Sequence, residues 1–187
     1  VTDLRIDIRD YASLNKAIHE INPDFVFHLA AQPLVRKSYS DPLSTWSINT
    51  LGTVNILESL RHLNHKCAVI VVTSDKAYDN VEWVWGYKET DKLGGPDPYS
   101  ASKGAADIAA QSFIRTYFIN NHPVRVAIAR AGNVIGGGDW ADDRIVPDCI
   151  RSWSSNEVVE LRNPSSTRPW QHVLEPLSGY LVLALKL

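Results

Sequence analysis

The chain has 187 residues, enough for one domain with a proper core or for most of a larger one. Its 44% hydrophobic and 21% charged residues are those of an ordinary globular protein, and a net charge of -2 gives no electrostatic case for nucleic acid or anionic membrane as a partner. Two cysteines make no disulfide framework and no apolar run is long enough for a bilayer, so reduced thiols and a cytoplasmic location are expected.

Leu4–Ile8 alternates apolar and polar residues and predicts a short strand. Asp10 is placed to cap a helix to about Asn22, with Leu14, Ala17, Ile18 and Ile21 along one side and Asn22-Pro23 ending it. Asp24–Ala31 is largely apolar, as a strand buried on both faces of a parallel sheet is. After a loop, Asp41-Pro42 starts a long helix to about Asn64, and Cys67–Thr73 is a second buried strand. Ser74–Asp97 is an aromatic, Gly- and Pro-containing loop of a length that compact domains seldom keep without a use for it. Pro98 opens a helix to about Asn121, and Val124–Arg130 is a third buried strand. Beyond it come a Gly136-Gly137-Gly138 loop, a helix around Arg144–Trp153, a short strand near Val158–Arg162 and a helix from about Leu174.

Strands alternating with helices of this length predict an α/β fold, a doubly wound parallel sheet of Rossmann-like type. Ligands of such sheets lie at the carboxyl ends of the strands. Ala30-Ala31, Thr73–Lys76 and Gly132–Trp140 all fall there.

Tyr99 and Lys103 share one helix face, one turn apart. An ammonium so placed favours the phenolate and draws the phenol down from its free value of about 10, which makes it a usable base for an alcohol losing hydride. Ser74, Asp75 and Lys76 follow a strand end as adjacent hydroxyl, carboxylate and ammonium. They form either a polar turn or a second acid–base set on the same rim. His62, His65 and Cys67 straddle a helix end and a strand start, so their side chains diverge and no metal site is expected. The triple-Gly loop followed by Asp139 lacks the strand–GxGxxG–helix fingerprint; it reads as a flexible loop or as a nucleotide cradle beside Asn133. Arg168 is a solvated charge or a phosphate fork. His28 reads as a core histidine.

Asp24–Ala31, Asn49-x-x-Gly52-Thr53, Thr73–Asn80, Tyr99-x-x-x-Lys103, Arg130–Trp140 and Arg168–Tyr180 occur in an order that resembles the extended short-chain dehydrogenase/reductase superfamily, and within it the group that dehydrates CDP-glucose. The resemblance covers essentially the whole chain. It implies a lyase that uses tightly held NAD: oxidation at the sugar C4, loss of water across C5–C6, and return of hydride to C6. Tyr99 would take the 4-hydroxyl proton, Lys103 would lower its pKa and bind the nicotinamide ribose, and Ser74 would hydrogen-bond the reacting oxygen. Asp75 would be the acid for the departing 6-hydroxyl, with Lys76 assisting removal of the C5 proton. Asp7 and Ile8 would lie beside the adenine, Ala30 and Ala31 along the diphosphate and ribose, and Asn49 near the active-site helix, with Thr73 among the cofactor contacts. Asn133, Arg144 and Arg168 would hold the sugar-nucleotide diphosphate.

By the same resemblance residues 1–132 belong to the NAD-binding domain and 133–187 to the start of a small carboxy-terminal substrate domain. The chain has no Met, begins on Val1 and stops at Leu187 inside an apolar run, so it is expected to be an internal piece with amino-terminal strands and a phosphate loop missing, and inactive alone. A homodimer through helices 41–64 and 98–121 is implied. The rival readings are a nucleotide-sugar 4-epimerase, which needs no Asp75–Lys76 set, and a non-catalytic nucleotide-binding scaffold.

Overall fold

The computed structural model describes residues 1–187. Three parallel strands, β1 (Phe25–His28), β2 (Cys67–Val72) and β3 (Val124–Ala129), form the main sheet in the order β1-β2-β3. Each crossover carries helix: α2 (Val35–Ser40), α3 (Pro42–Trp46) and α4 (Gly52–Leu60) between β1 and β2, and α5 (Pro98–Thr116) between β2 and β3. The helix α1 (Tyr11–Ile21) precedes them, with Asp10 accepting the Ser13 N–H at its start and Asn22 closing it in the left-handed region.

Strand alternation distributes β2 between two layers. Cys67, Val69 and Val71 pack with Ile56, Leu57 and Leu60 of α4 and Ala110 of α5. Ile70 points the other way onto Tyr180 and Ala184 of α7 (Leu174–Lys186), with Ala68 and Val72 beside it. Helices therefore cover both faces, which is why β2 is apolar at every position. This is the doubly wound, Rossmann-like arrangement expected. The helix α6 (Ile145–Ser154) and a separate two-stranded parallel sheet, β4 (Val134–Ile135) with β5 (Gln171–His172), lie between β3 and α7 in sequence. No helix is long and apolar enough to cross a membrane.

Four local expectations are corrected. Leu4–Ile8 is not a strand: no neighbouring strand offers it a ladder, and Asp7 instead closes a turn by accepting the Arg9 N–H at 2.9 Å. Val158–Arg162 is not a strand either; the pairing forms at β4–β5, where Gln171 N–H donates to Asn133 O and Val173 N–H to Ile135 O. The long helix expected from Pro42 contains a π-helical turn at Ser47–Leu51, and the loop before it holds α2. Finally α5 stops at Thr116, short of Asn121, and Phe118 turns back into the core.

Candidate active site

Tyr99 is buried in the first turn of α5. Asp97 caps that turn, accepting the Ser100 N–H at 3.0 Å and its hydroxyl at 2.6 Å, and Pro98 supplies a residue with no N–H to satisfy. The Tyr99 backbone is then held from two sides. Its N–H donates to Ser38 Oγ of α2 at 3.2 Å, and its carbonyl accepts from Ser102 Oγ at 2.8 Å. Ser102 Oγ in turn accepts from Asn49 Nδ2 at 2.9 Å. Asn49 projects from the π-helical turn and also grips Gln32, accepting its N–H at 2.8 Å and donating to its carbonyl at 3.2 Å. Both Asn49 amide hydrogens and its oxygen are thus engaged within the protein. Asn49 thus forms a joint between the β1 rim and α5.

Lys103, one turn along α5, is also buried. Its Nζ donates to Val72 O at 3.0 Å, and burial pushes its pKa down to about 8, with the Asp107 charge opposing. The Tyr99 pKa is raised by burial, with the Ser74 hydroxyl opposing that rise. In this geometry the Lys103 amine is turned to the β2 carbonyl, and burial is the largest influence on Tyr99. His28 stands beside them at the β1 end. Its Nε2 meets Thr53 Oγ1 at 2.9 Å, its Nδ1 is buried without a partner, and burial together with the Lys103 charge pushes its pKa down to about 4.

At the carboxyl end of β2, Ser74 caps a single 3-10 turn, Asp75–Ala77. Ser74 Oγ accepts the Lys76 N–H at 3.2 Å and donates to Asp75 Oδ1 at 3.1 Å. The Thr73 hydroxyl donates to Asp107 Oδ2 at 3.0 Å, which directs it toward α5.

Ser74, Asp75, Lys76 and Tyr99 line one cleft of about 610 Å³, and Asn133, Arg144 and Arg168 line it with them. Seven of the expected residues, drawn from four regions of the chain, are thus brought together. Asn133 Oδ1 is buried with no partner. Arg144 Nε lies 3.1 Å from Asp139 Oδ2, yet its N–H is not aligned with that oxygen and stays without a hydrogen bond. Arg168 is exposed, with Nη1 donating to Thr167 O. The remaining residues lie off this cleft. Ala30 is exposed and Ala31 half-buried just past β1. Asp7 pairs with Arg9, and Ile8 packs against Gly52, where any Cβ would collide with it, while its carbonyl accepts from Asn55.

Two charged residues escaped the sequence reading. Asp107 is fully buried and Arg130 nearly so, joined by two hydrogen bonds of 2.7 and 2.8 Å. The signal was available: Asp107 is the one carboxylate inside an alanine-rich stretch and continues the four-residue spacing of Tyr99 and Lys103.

A family model described as GDP-mannose 4,6 dehydratase matches residues 2–184. The CDP-glucose 4,6-dehydratase of Salmonella typhimurium is 55% identical over 185 residues, which is 97% of this chain and 52% of that protein. Among solved structures, a dTDP-glucose 4,6-dehydratase from Streptomyces venezuelae with NAD and TYD bound superposes with a TM-score of 0.85 at 25% identity, covering 97% of this chain and 54% of that one. The Thermus thermophilus UDP-glucose 4-epimerase complexed with NAD superposes with a TM-score of 0.82 at 25% identity, covering 98% and 60%. The chain spans about half the length of the curated relatives it matches.

Proposed function

The chain belongs to the GDP-mannose 4,6 dehydratase family, and from that premise we propose that its protein is a nucleotide-sugar 4,6-dehydratase converting CDP-glucose to CDP-4-keto-6-deoxyglucose. The observation that carries this reading is the meeting of Ser74, Asp75, Lys76 and Tyr99 in one cleft with three groups suited to a diphosphate. Arg144 pairs with Asp139 yet keeps its Nε–H free of a hydrogen bond, Arg168 adds an exposed guanidinium, and Asn133 adds an amide whose NH2 can donate.

The β1 and β2 rim suits NAD on two counts. Ala30 and Ala31 set only methyl groups at the carboxyl end of β1, and Lys103 supplies a buried amine one turn from Tyr99. Bound there, NAD supplies a hydride acceptor for the sugar C4 and a hydride donor for C6, so it is not consumed overall. Tyr99 takes the proton of the 4-hydroxyl while Ser74 orients that oxygen. Because burial favours the phenol, positive charge must offset desolvation at this step. Arg144 opposes part of the rise in the Tyr99 pKa, and a Lys103 ammonium turned from Val72 toward the phenol would oppose it further.

The 4-ketone acidifies the C5 proton. Lys76 assists removal of that proton and Asp75 serves the departing 6-hydroxyl, which leaves as water while the C5–C6 double bond forms; hydride at C6 and a proton exchanged with solvent at C5 complete the product. The free thiols of Cys67 and Cys149 favour a cytoplasmic setting. Leu43, Leu51 and Ile108, exposed on α3, the π-helical turn and α5, favour a homodimer through these helices, and sedimentation at two concentrations reads that state.

The test is to incubate the protein carrying this chain with CDP-, dTDP-, UDP- and GDP-glucose in deuterated water. The expected product is a 4-keto-6-deoxy sugar with deuterium at C5, from CDP-glucose alone. A C4 epimer without deuterium at C5 would instead establish the epimerase reading, and product from another nucleotide would correct the substrate.

A further inference from the structure

Asp107 lies one turn beyond Lys103 and two beyond Tyr99 on α5. It is completely buried, and its two oxygens take four hydrogen bonds from three places. Thr73 Oγ1 donates from the end of β2 at 3.0 Å, Gln111 Nε2 from α5 at 2.8 Å, and Arg130 from the end of β3 through Nε and Nη2. These donors keep its pKa below the ordinary carboxylate value although burial pushes it up. Arg130 carries the link onward. Its Nη1 donates to Tyr78 Oη at 2.7 Å and to Glu89 O at 3.3 Å, and its guanidinium lies 4.8 Å from the centre of the Tyr78 ring.

Tyr78 and Glu89 sit on opposite limbs of the long loop. Backbone bonds from Asp79 N–H to Lys92 O and from Gly94 N–H to Ala77 O close the base of that loop. The clamp therefore ends on both sides of Asp75 and Lys76: Thr73 before them and Tyr78 after them. Tyr99 depends on other supports, Ser38 at its N–H and Ser102 with Asn49 at its carbonyl. The backbones that carry the two sets of acid–base groups thus hang from different hydrogen-bond networks, which meet along α5, at Lys103 Nζ on Val72 O and at the Ser74 hydroxyl beside Tyr99.

We propose that Asp107, acting through Arg130 and Thr73, is a positioning residue that holds the elimination groups Asp75 and Lys76 in register with Tyr99. The roles of those groups rest on the dehydratase reading; the clamp itself does not. An arginine fork engaged on four of its donors fixes direction as well as distance, so loosening it moves the loop base while leaving the first turn of α5 in place.

The experiment is Asp107→Asn in the protein carrying this chain, read by two measurements. Mixed with CDP-glucose, the variant should lose far less in the rate of forming reduced nicotinamide, where only the Asp107 charge near Lys103 is missing, than in deuterium uptake at C5, which slows about a hundredfold. Amide hydrogen exchange should accelerate over residues 74–79 and 87–94 and stay unchanged over 99–103. Tyr78→Phe removes one arm of the clamp without touching the buried pair, and should change both readouts in the same direction to a smaller extent. Oxidation and elimination slowed equally, or unaltered exchange in the loop base, would overturn the proposal. If the unaltered protein makes neither reduced nicotinamide nor a deuterated product, the dehydratase reading fails, and the exchange pattern alone decides the clamp.

Discussion

His28 sits where the sheet, the proposed cofactor rim and the active-site helix meet, and its titration has a definite sign. Burial lowers its pKa from 6.5 to about 4, with the Lys103 charge contributing. Between those values the unfolded chain binds a proton that the folded chain does not, so stability falls as pH drops through this window. For a group so deeply buried the loss approaches about 3 kcal/mol. Urea unfolding at the two ends of the window should show the wild-type protein losing that much more than His28→Asn, in which the exposed carboxylates still titrate. Equal losses in both proteins would mean that His28 finds a proton partner when folded. The same desolvation acts on Lys103 and Tyr99, pushing the amine down and the phenol up. Spacing places an ammonium one turn from a phenol, but only the packed structure reveals that the amine is turned to Val72 O. Ser74, Asp75, Lys76 and Tyr99 were legible because each follows a strand end or opens a helix. Asp107 continues the spacing of Tyr99 and Lys103, but its pairing with Arg130 was not legible, because a buried ion pair joins residues on different elements and leaves no local pattern.

At the scale of elements, the sheet and the long helices were legible from apolar runs and caps alone. The β2 run is buried on both faces as its composition implies, whereas β1 and β3 flank it with partly exposed positions, and Asp10 and Pro98 mark helix starts. The misreadings share one cause. A strand at Leu4–Ile8 or Val158–Arg162 requires a partner, and partnership is a tertiary fact that alternation cannot report. The π-helical turn is likewise invisible in a continuous helical pattern, yet it projects Asn49 onto Gln32 and Ser102. The core that anchors these elements is built on α4. Leu57 and Leu60, both fully buried, pack on the β2 face opposite α7. Leu57→Ala should cost about 2–5 kcal/mol in chemical denaturation, since neither a helix nor a three-stranded sheet can collapse into the space left behind. A loss below about 1 kcal/mol, the scale of an exposed substitution, would mean that this layer is loosely packed.

For the whole molecule, the proposed reaction needs oxidation and elimination at one sugar, and the fold brings the candidate groups together from three directions. The helix α5 brings Tyr99 and Lys103 from beneath the rim, the end of β2 brings Ser74, Asp75 and Lys76, and the region after β3 brings Asn133, Arg144 and Arg168 across the cleft. This division separates a dehydratase from an epimerase on the same architecture, because only the dehydratase must move hydrogen from C4 to C6 of one sugar molecule. The most direct measurement follows that hydrogen. CDP-glucose deuterated at C4 is given to the protein carrying this chain, and the product is read by mass spectrometry and NMR. The deuterium should appear at C6 of a 4-keto-6-deoxy sugar. Deuterium retained at C4 of an epimer, or a 4-keto-6-deoxy product without deuterium at C6, would contradict the account.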